Sequence, residues 1–236
     1  MASSLSCSPI ELLSRSDAQI VLVVSGGGTQ VIPQLFTAGG ASGVMLEVLV
    51  PYAKSAVAKV LGSEPEAYCS DRTVRQLAVA GWQRSLELAS QVGNNIGVAV
   101  TASLRSGKPK KGQHRVHVAT HRLEGTVTAT LTLKKNARSR LEEEHVAALL
   151  CLDVLVSTVT TSVTNPWRKE LESLLLPDEE IVRFEYTAPL SWQELCGQKE
   201  GAIPIEIIGG VQTGQLAEQF NNRLIFSGSF APLHKG

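Results

Sequence analysis

The stretch Gln19-Ile20-Val21-Leu22-Val23-Val24-Ser25-Gly26-Gly27-Gly28-Thr29 decides the architecture. Ile20 to Val24 is a purely aliphatic run with no polar alternation, which predicts a strand covered on both faces. The three glycines remove every Cβ from the turn that follows, so backbone N–H groups there can converge on a ligand. An apolar, helix-like pattern restarts at Thr29 and predicts a helix beginning near Gly28. A helix N-terminus after such a turn favours an anion, because its first N–H groups lack partners and its dipole attracts negative charge. Ser25 falls at the C-terminal end of the strand, where open α/β sheets place their ligands. A purely structural glycine turn beside a solvated serine is the competing reading.

Working outward, Pro9 to Arg15 reads as a short helix before the strand. Thr37-Ala38-Gly39-Gly40 stops the helix after the turn. Val44 to Val50 is a second strand, closed by Pro51-Tyr52, and Ala53 to Leu61 is a helix stopped by Gly62. Ser70 is an N-cap with Asp71 in the first turn. Val74, Leu77, Ala78, Gly81, Ser85, Leu88, Ala89 and Val92 then mark one face of a helix packed on a sheet. Ile96 to Val100 is an aliphatic strand ending at Thr101. Gln113 to His121 and Thr126 to Leu133 are neighbouring strands around Glu124-Gly125. Arg138 to about Thr158 is a long helix with Glu142, Glu143 and Glu144 early in it, as the dipole prefers. This order predicts an α/β fold: a three-layer domain with a mixed sheet, ending near residue 160.

The chain has 236 residues, 43% of them hydrophobic, enough for a sizeable core. Its 22 basic and 22 acidic side chains cancel, so there is no general pull toward nucleic acid or anionic membrane. Cys7, Cys69, Cys151 and Cys196 are widely spaced, lack CxxC spacing, and read as reduced thiols rather than a metal site. No apolar run approaches a membrane span; the longest, Val146 to Val156, is broken by Asp153. The Ser-rich start lacks the basic residues of a signal or transit peptide, so the cytoplasm is the default location.

Three segments together carry a family resemblance. They are Val24-Ser25-Gly26-Gly27-Gly28, Gly39-Gly40-Ala41-Ser42-Gly43-Val44, and Val50-Pro51-Tyr52, with continuations at Cys69-Ser70, Val98-Ala99-Val100-Thr101 and Arg138. In order and spacing they resemble the C-terminal domain of the CinA family over residues 19–162. Active members hydrolyse nicotinamide mononucleotide to nicotinic acid mononucleotide and ammonia. The resemblance implies Ser25 as nucleophile and Gly26, Gly27, Gly28 and Thr29 as a phosphate cradle. It also implies Tyr52 and Thr101 orienting the substrate, Arg138 pairing with phosphate, and self-association. No cofactor and no metal are expected. Three departures stand out: Val24 where the family has Glu, Gly27 where it has Thr, and Val57 where it has the lysine. Serine needs a neighbouring base to accept its proton. Lys54, one helical turn from Val57, or Lys59 is the candidate replacement. A solvated surface lysine is the alternative for Lys54.

Arg105, Lys108, Lys110, Lys111 and Arg115 crowd one loop. They suit a phosphate-bearing ligand or a solvated loop; without interleaved aromatics they do not suit nucleic acid. His117 and His121 share a strand face that His114 does not. No acid or cysteine completes a metal shell around them.

Residues 163–222 read as a linker region with short elements: a helix over Trp167 to Leu176 ended by Pro177, then Ile181 to Thr187, Trp192 to Cys196 and Ile205 to Ile208. From Arg223 an apolar strand runs into Gly228-x-Phe230-x-Pro232-x-His234-x-Gly236. This resembles the opening motif of the nucleotidylyltransferase superfamily, which includes nicotinamide mononucleotide adenylyltransferases. It implies the start of a Rossmann-like domain at residues 223–236. The second histidine and helix of that motif do not follow, so the chain reads as a truncated product or short isoform of a longer two-domain protein. Residues 1–18 are an N-terminal extension. Both resemblances point to pyridine-nucleotide metabolism, with two alternatives: an amidohydrolase, or a non-catalytic nucleotide-binding or dimerisation module.

Overall fold

A computed structural model of the chain describes residues 8–37, 39–89, 93–107, 111–160, 165–190 and 192–193. Backbone contacts divide the chain at Thr187/Ala188. In the second unit, the described residues begin a helical turn in which Trp192 and Gln193 donate to the Pro189 carbonyl. The motif at 223–236 lies outside the described residues.

The first unit is built on β1 (Ala18–Ser25), β2 (Met45–Leu49), β3 (Asn94–Ser103), β4 (His114–Arg122), β5 (Gly125–Leu133) and β6 (Ile181–Thr187). Their order in the sheet is β2-β1-β3-β4-β5-β6. β1 runs parallel to β2 and β3, and every later pairing is antiparallel. The helices are α1 (Pro9–Ser14), α2 (Val31–Phe36), α3 (Lys54–Leu61), α4 (Asp71–Leu88), α5 (Arg140–Val159) and α6 (Pro166–Leu174). This is the mixed-sheet α/β architecture that the pattern of elements predicts.

Alternation along the strands assigns the two faces. Ile20, Leu22 and Val24 of β1 join Ile96, Val98 and Val100 of β3 in a core with α1, α2, α5 and α6. Val23, Ala99 and Ala119 face the other way, into a smaller core with Val57 of α3 and Val74, Leu77 and Ala78 of α4. The aliphatic run therefore does what its lack of polar alternation requires: it is buried on both sides. α4 lies hard against β3, where a Cβ added to Gly97 would sit 1.9 Å from the Ala78 carbonyl oxygen.

The structure departs from the sequence expectation in three places. α2 starts at Val31 rather than near Gly28, with Gln30 as an N-cap that makes no side-chain hydrogen bond. The apolar face of α4 ends at Ser85, leaving Leu88 exposed. Most consequentially, α6 and β6, the expected helix and short element of the linker region, belong to the first unit. The reason is Asp153. This carboxylate is fully buried on α5 and is met by Arg168 Nε of α6 at 2.9 Å, by Asn165 Nδ2 at 2.9 Å, and by the Arg183 guanidinium of β6. A buried charge must be paired, and its cations lie in the segment that reads as loose. Among the described residues, no helix is long and apolar enough to cross a membrane.

Candidate functional site

Ser25 ends β1 and is 7% exposed. Its hydroxyl donates to the Pro51 carbonyl at 3.0 Å, across the parallel edge to the segment after β2. In register, Ser25 lies beside Thr101, Thr101 beside His117, and His117 beside Thr130. Residues opposite one another in a sheet project to the same side. The four therefore form a polar row across four strands, on the side covered by α3 and α4. Thr101 donates its hydroxyl to the Tyr68 carbonyl at 2.7 Å. His117 Nδ1 bonds the Thr130 hydroxyl at 2.8 Å, while His117 Nε2 is buried and without a partner among the described residues. Burial, helped by Arg115 and opposed by Asp71, pushes the His117 pKa down to about 4. Its ring is neutral at ordinary pH.

Lys54 opens α3 and is exposed, its Nζ standing 5.3 Å from the centre of the Tyr68 ring. Tyr52 is 75% exposed. Tyr68 thus links Lys54 through its ring and Thr101 through its carbonyl, and Ser25 is bonded just before Tyr52. No hydrogen bond joins Lys54 to Ser25 among the described residues. Val57, where the resemblance expects a lysine, is 1% exposed and packs into the smaller core. Lys59 is in the last turn of α3 and exposed.

The glycine turn has the expected backbone, with Gly26 at φ +77° and Gly28 at φ +90°. Its surroundings differ from the expected open cradle. A Cβ on Gly26 would meet the Ala102 carbonyl oxygen at 2.3 Å, and one on Gly28 would meet Val100 Cγ1 at 2.8 Å. These glycines therefore serve close packing against β3. The Gly28 N–H donates to Glu144 Oε2 at 2.6 Å, in a buried bond. Arg140 closes the arrangement: Nη2 reaches Glu144 Oε1 at 2.6 Å and the Gly26 carbonyl at 3.1 Å. An internal carboxylate thus occupies the place where an outside anion is expected, and a six-residue α2 supplies little dipole of its own. Thr29 beside the turn is exposed.

Arg138 is also engaged internally. It forms a two-pronged pair with Glu179, Nη1 to Oε1 at 2.6 Å and Nη2 to Oε2 at 2.7 Å, with both side chains buried. Burial alone would raise the Glu179 pKa, but Arg138 and the Leu176 and Lys134 N–H groups outweigh it and hold it below the usual carboxylate range. In the basic loop, Arg105 is pinned: its N–H donates to Glu143 Oε2 at 2.6 Å and its side chain to the Arg138 carbonyl at 2.8 Å. Lys108 and Lys110 lie outside the described residues. His114, which sequence reasoning leaves without an acid, bonds Glu143 Oε1 at 2.7 Å.

Sequence reasoning missed Glu143, Glu144 and His117. The two glutamates look like dipole partners on an exposed first turn, and only their position on the most apolar helix signals burial. His117 could have been found by counting register from Ser25 across the strands.

No protein-family model matches the chain, and no curated protein matches it. Several solved structures are similar. A competence-damaged protein (CinA) superfamily protein from Enterobacter cloacae shares 17% identity, covering 68% of this chain and 97% of that one, with a TM-score of 0.52. A CinA superfamily protein from Escherichia coli shares 14% identity over 67% of this chain and 94% of that one, also with a TM-score of 0.52. The competence/damage inducible protein CihA from Agrobacterium tumefaciens shares 20% identity over 66% and 98%, with a TM-score of 0.51. At these identities the likeness shows the fold, which is CinA-like.

Proposed function

We propose that the chain is a cytoplasmic pyridine-nucleotide-metabolism protein whose CinA-like domain is non-catalytic. In this reading it retains the buried polar row of Ser25, Thr101 and His117 but has lost both the base and the anion cradle of an amidohydrolase. It accompanies the nucleotidylyltransferase-like segment carrying Gly228, Phe230, Pro232, His234 and Gly236. The observation that carries the reading is the Glu144 carboxylate bonded to Gly28 N–H and neutralised by Arg140. A phosphate entering that turn must displace a buried, ion-paired carboxylate. Val57 supports it independently, because hydrocarbon occupies the position of the expected lysine.

A second reading, an active nicotinamide mononucleotide amidohydrolase, is favoured by the gathering of Ser25, Thr101 and Lys54 around Pro51 and Tyr68. Ser25 would attack the carboxamide carbonyl, Lys54 would take the hydroxyl proton and return it to the nitrogen as the C–N bond breaks and ammonia leaves, and a water would then cleave the acyl-serine to the free acid. Ammonia release from nicotinamide mononucleotide, measured beside Ser25→Ala, separates the two. The expected result is the same background for both proteins. Release by the unaltered protein that disappears in Ser25→Ala overturns the non-catalytic reading.

A further inference from the structure

A cavity of about 620 Å³ lies far from Ser25, on the other face of the sheet, within the size range of small-molecule sites. β4 runs from His117, in line with Ser25, to Arg122 on the cavity wall, about 17 Å further along the strand. The face is that of α5, since the Thr120 hydroxyl bonds the Thr158 hydroxyl of α5 at 2.7 Å and Arg122 shares the side of Thr120. Besides Arg122, the last turn of α5 reaches the cavity at Ser157, α6 at Arg168, and β6 at Arg183 and Glu185.

Three guanidinium groups therefore line one cavity from three separate elements. Arg168 and Arg183 share the buried Asp153 carboxylate, so together they carry one positive charge beyond what Asp153 neutralises. Their forks are only partly used. Each has five N–H donors; Arg168 gives one to Asp153 and one to Ser157 Oγ at 2.9 Å, and Arg183 gives one to Asp153. The other donors belong to side chains that are 44% and 32% exposed. Arg122 pairs with Glu124 at 3.2 Å, but both are substantially exposed, and such a pair is weak. The carbonyl end of α5 is unfavourable to an anion. α6 begins beside it, with the Asn165 cap reaching Ser157 Oγ at 3.1 Å, so the positive end of one helix answers the negative end of the other. Glu185 is exposed on the β6 wall and makes no ion pair among the described residues.

A planar carboxylate serves guanidiniums from one edge, as Asp153 already does. A tetrahedral oxyanion with a charge near −2 offers acceptors in several directions and suits forks converging from a helix and two strands. We infer that this cavity binds the phosphate group of a small molecule, held by Arg168, Arg183 and Arg122. The inference stands whether or not the Ser25 site binds or turns over a substrate. Isothermal titration calorimetry on the full chain at constant ionic strength tests it, with inorganic phosphate and ribose 5-phosphate as probes and acetate as the carboxylate control. The unaltered protein is expected to bind phosphate and not acetate; a tighter ribose 5-phosphate marks an esterified ligand, a weaker one marks free phosphate. Arg122→Gln, which leaves both bonds to Asp153 in place, should weaken phosphate by about tenfold. Glu185→Gln removes a repelling charge and should tighten it by about threefold. Thermal unfolding of each variant verifies that it is folded, and the gain at Glu185 cannot come from misfolding. An unaltered protein that binds neither phosphate probe overturns the inference, including the case in which the chain's own later residues fill the cavity. So does phosphate binding that neither substitution moves, a Glu185→Gln variant that binds more weakly, or acetate binding as tightly as phosphate.

Discussion

The two halves of the sheet are held by different forces. In the parallel half, β2, β1 and β3 are sandwiched between helices, and close aliphatic packing does the work: Val21 to Val24 are fully buried, and α4 touches the backbone of β3 at Gly97. In the antiparallel half, β6 and α6 are secured by buried ion pairs, Arg138 with Glu179 and Asp153 with Arg168 and Arg183. Its α4-side face is partly open, with Phe184 and Tyr186 exposed. Hydrocarbon packing tolerates no added volume but is indifferent to pH. Ion pairing has the opposite sensitivities. The candidate site straddles the two: Ser25 and the glycine turn stand on the packed side, the polar row runs on to His117 and Thr130 in the antiparallel strands, and the turn is filled by the ion-paired Glu144.

The sharpest way to break this contrast is Gly97→Ala. The new methyl must overlap the Ala78 carbonyl and Trp82 amide, which are backbone atoms that cannot rotate away. Overpacking of this kind costs about 3 kcal/mol or more, read as a fall in denaturation midpoint that is the same at pH 5 and pH 8.

Arg138→Met probes the other half. Removing one partner of a buried pair costs about 3 kcal/mol at neutral pH. The folded-state pKa of Glu179 is depressed, so its contribution is complete above the unfolded carboxylate value of about 4.3 and is lost as pH falls through the lower folded value. The gap between variant and parent should therefore shrink on acidification over that range. Both proteins should also lose stability between about pH 6.5 and about 4, where His117 binds a proton when unfolded but not when folded. Denaturant titrations across pH separate the two windows.

Thr128→Val should give the smallest change, with opposite sign. The Thr128 hydroxyl is buried without a hydrogen-bond partner among the described residues. Replacing an unsatisfied polar group by an apolar one of like shape should be neutral to stabilising, by about 1 kcal/mol. A clear loss would show that this hydroxyl has a partner the contrast omits.

Much of the packed half was legible in the sequence. An unbroken aliphatic run has one economical fate, and three glycines in succession mark a turn, though not the close packing of that turn against β3. Histidine alternation on β4 followed from the two-residue period alone. What one dimension could not carry was the pairing of charges at a distance. Arg138 finds its carboxylate 41 residues later, and Asp153 finds Arg183 30 residues later. Asp153 was visible as a break in an apolar run, yet nothing local named its cations, so α6 and β6 were legible as short elements but not as parts of the first unit. The site suffered the same blindness. Ser25 and the glycine turn are readable where they stand, but Glu144, which completes the turn, lies 116 residues away from Gly28.

That last contact has a thermodynamic consequence. A group anchored to the same molecule competes at a fixed local concentration that dilution cannot lower. Any free anion approaching Gly28 faces a rival already in place, desolvated and paid for by folding. The turn is thus a lock supplied with its own key.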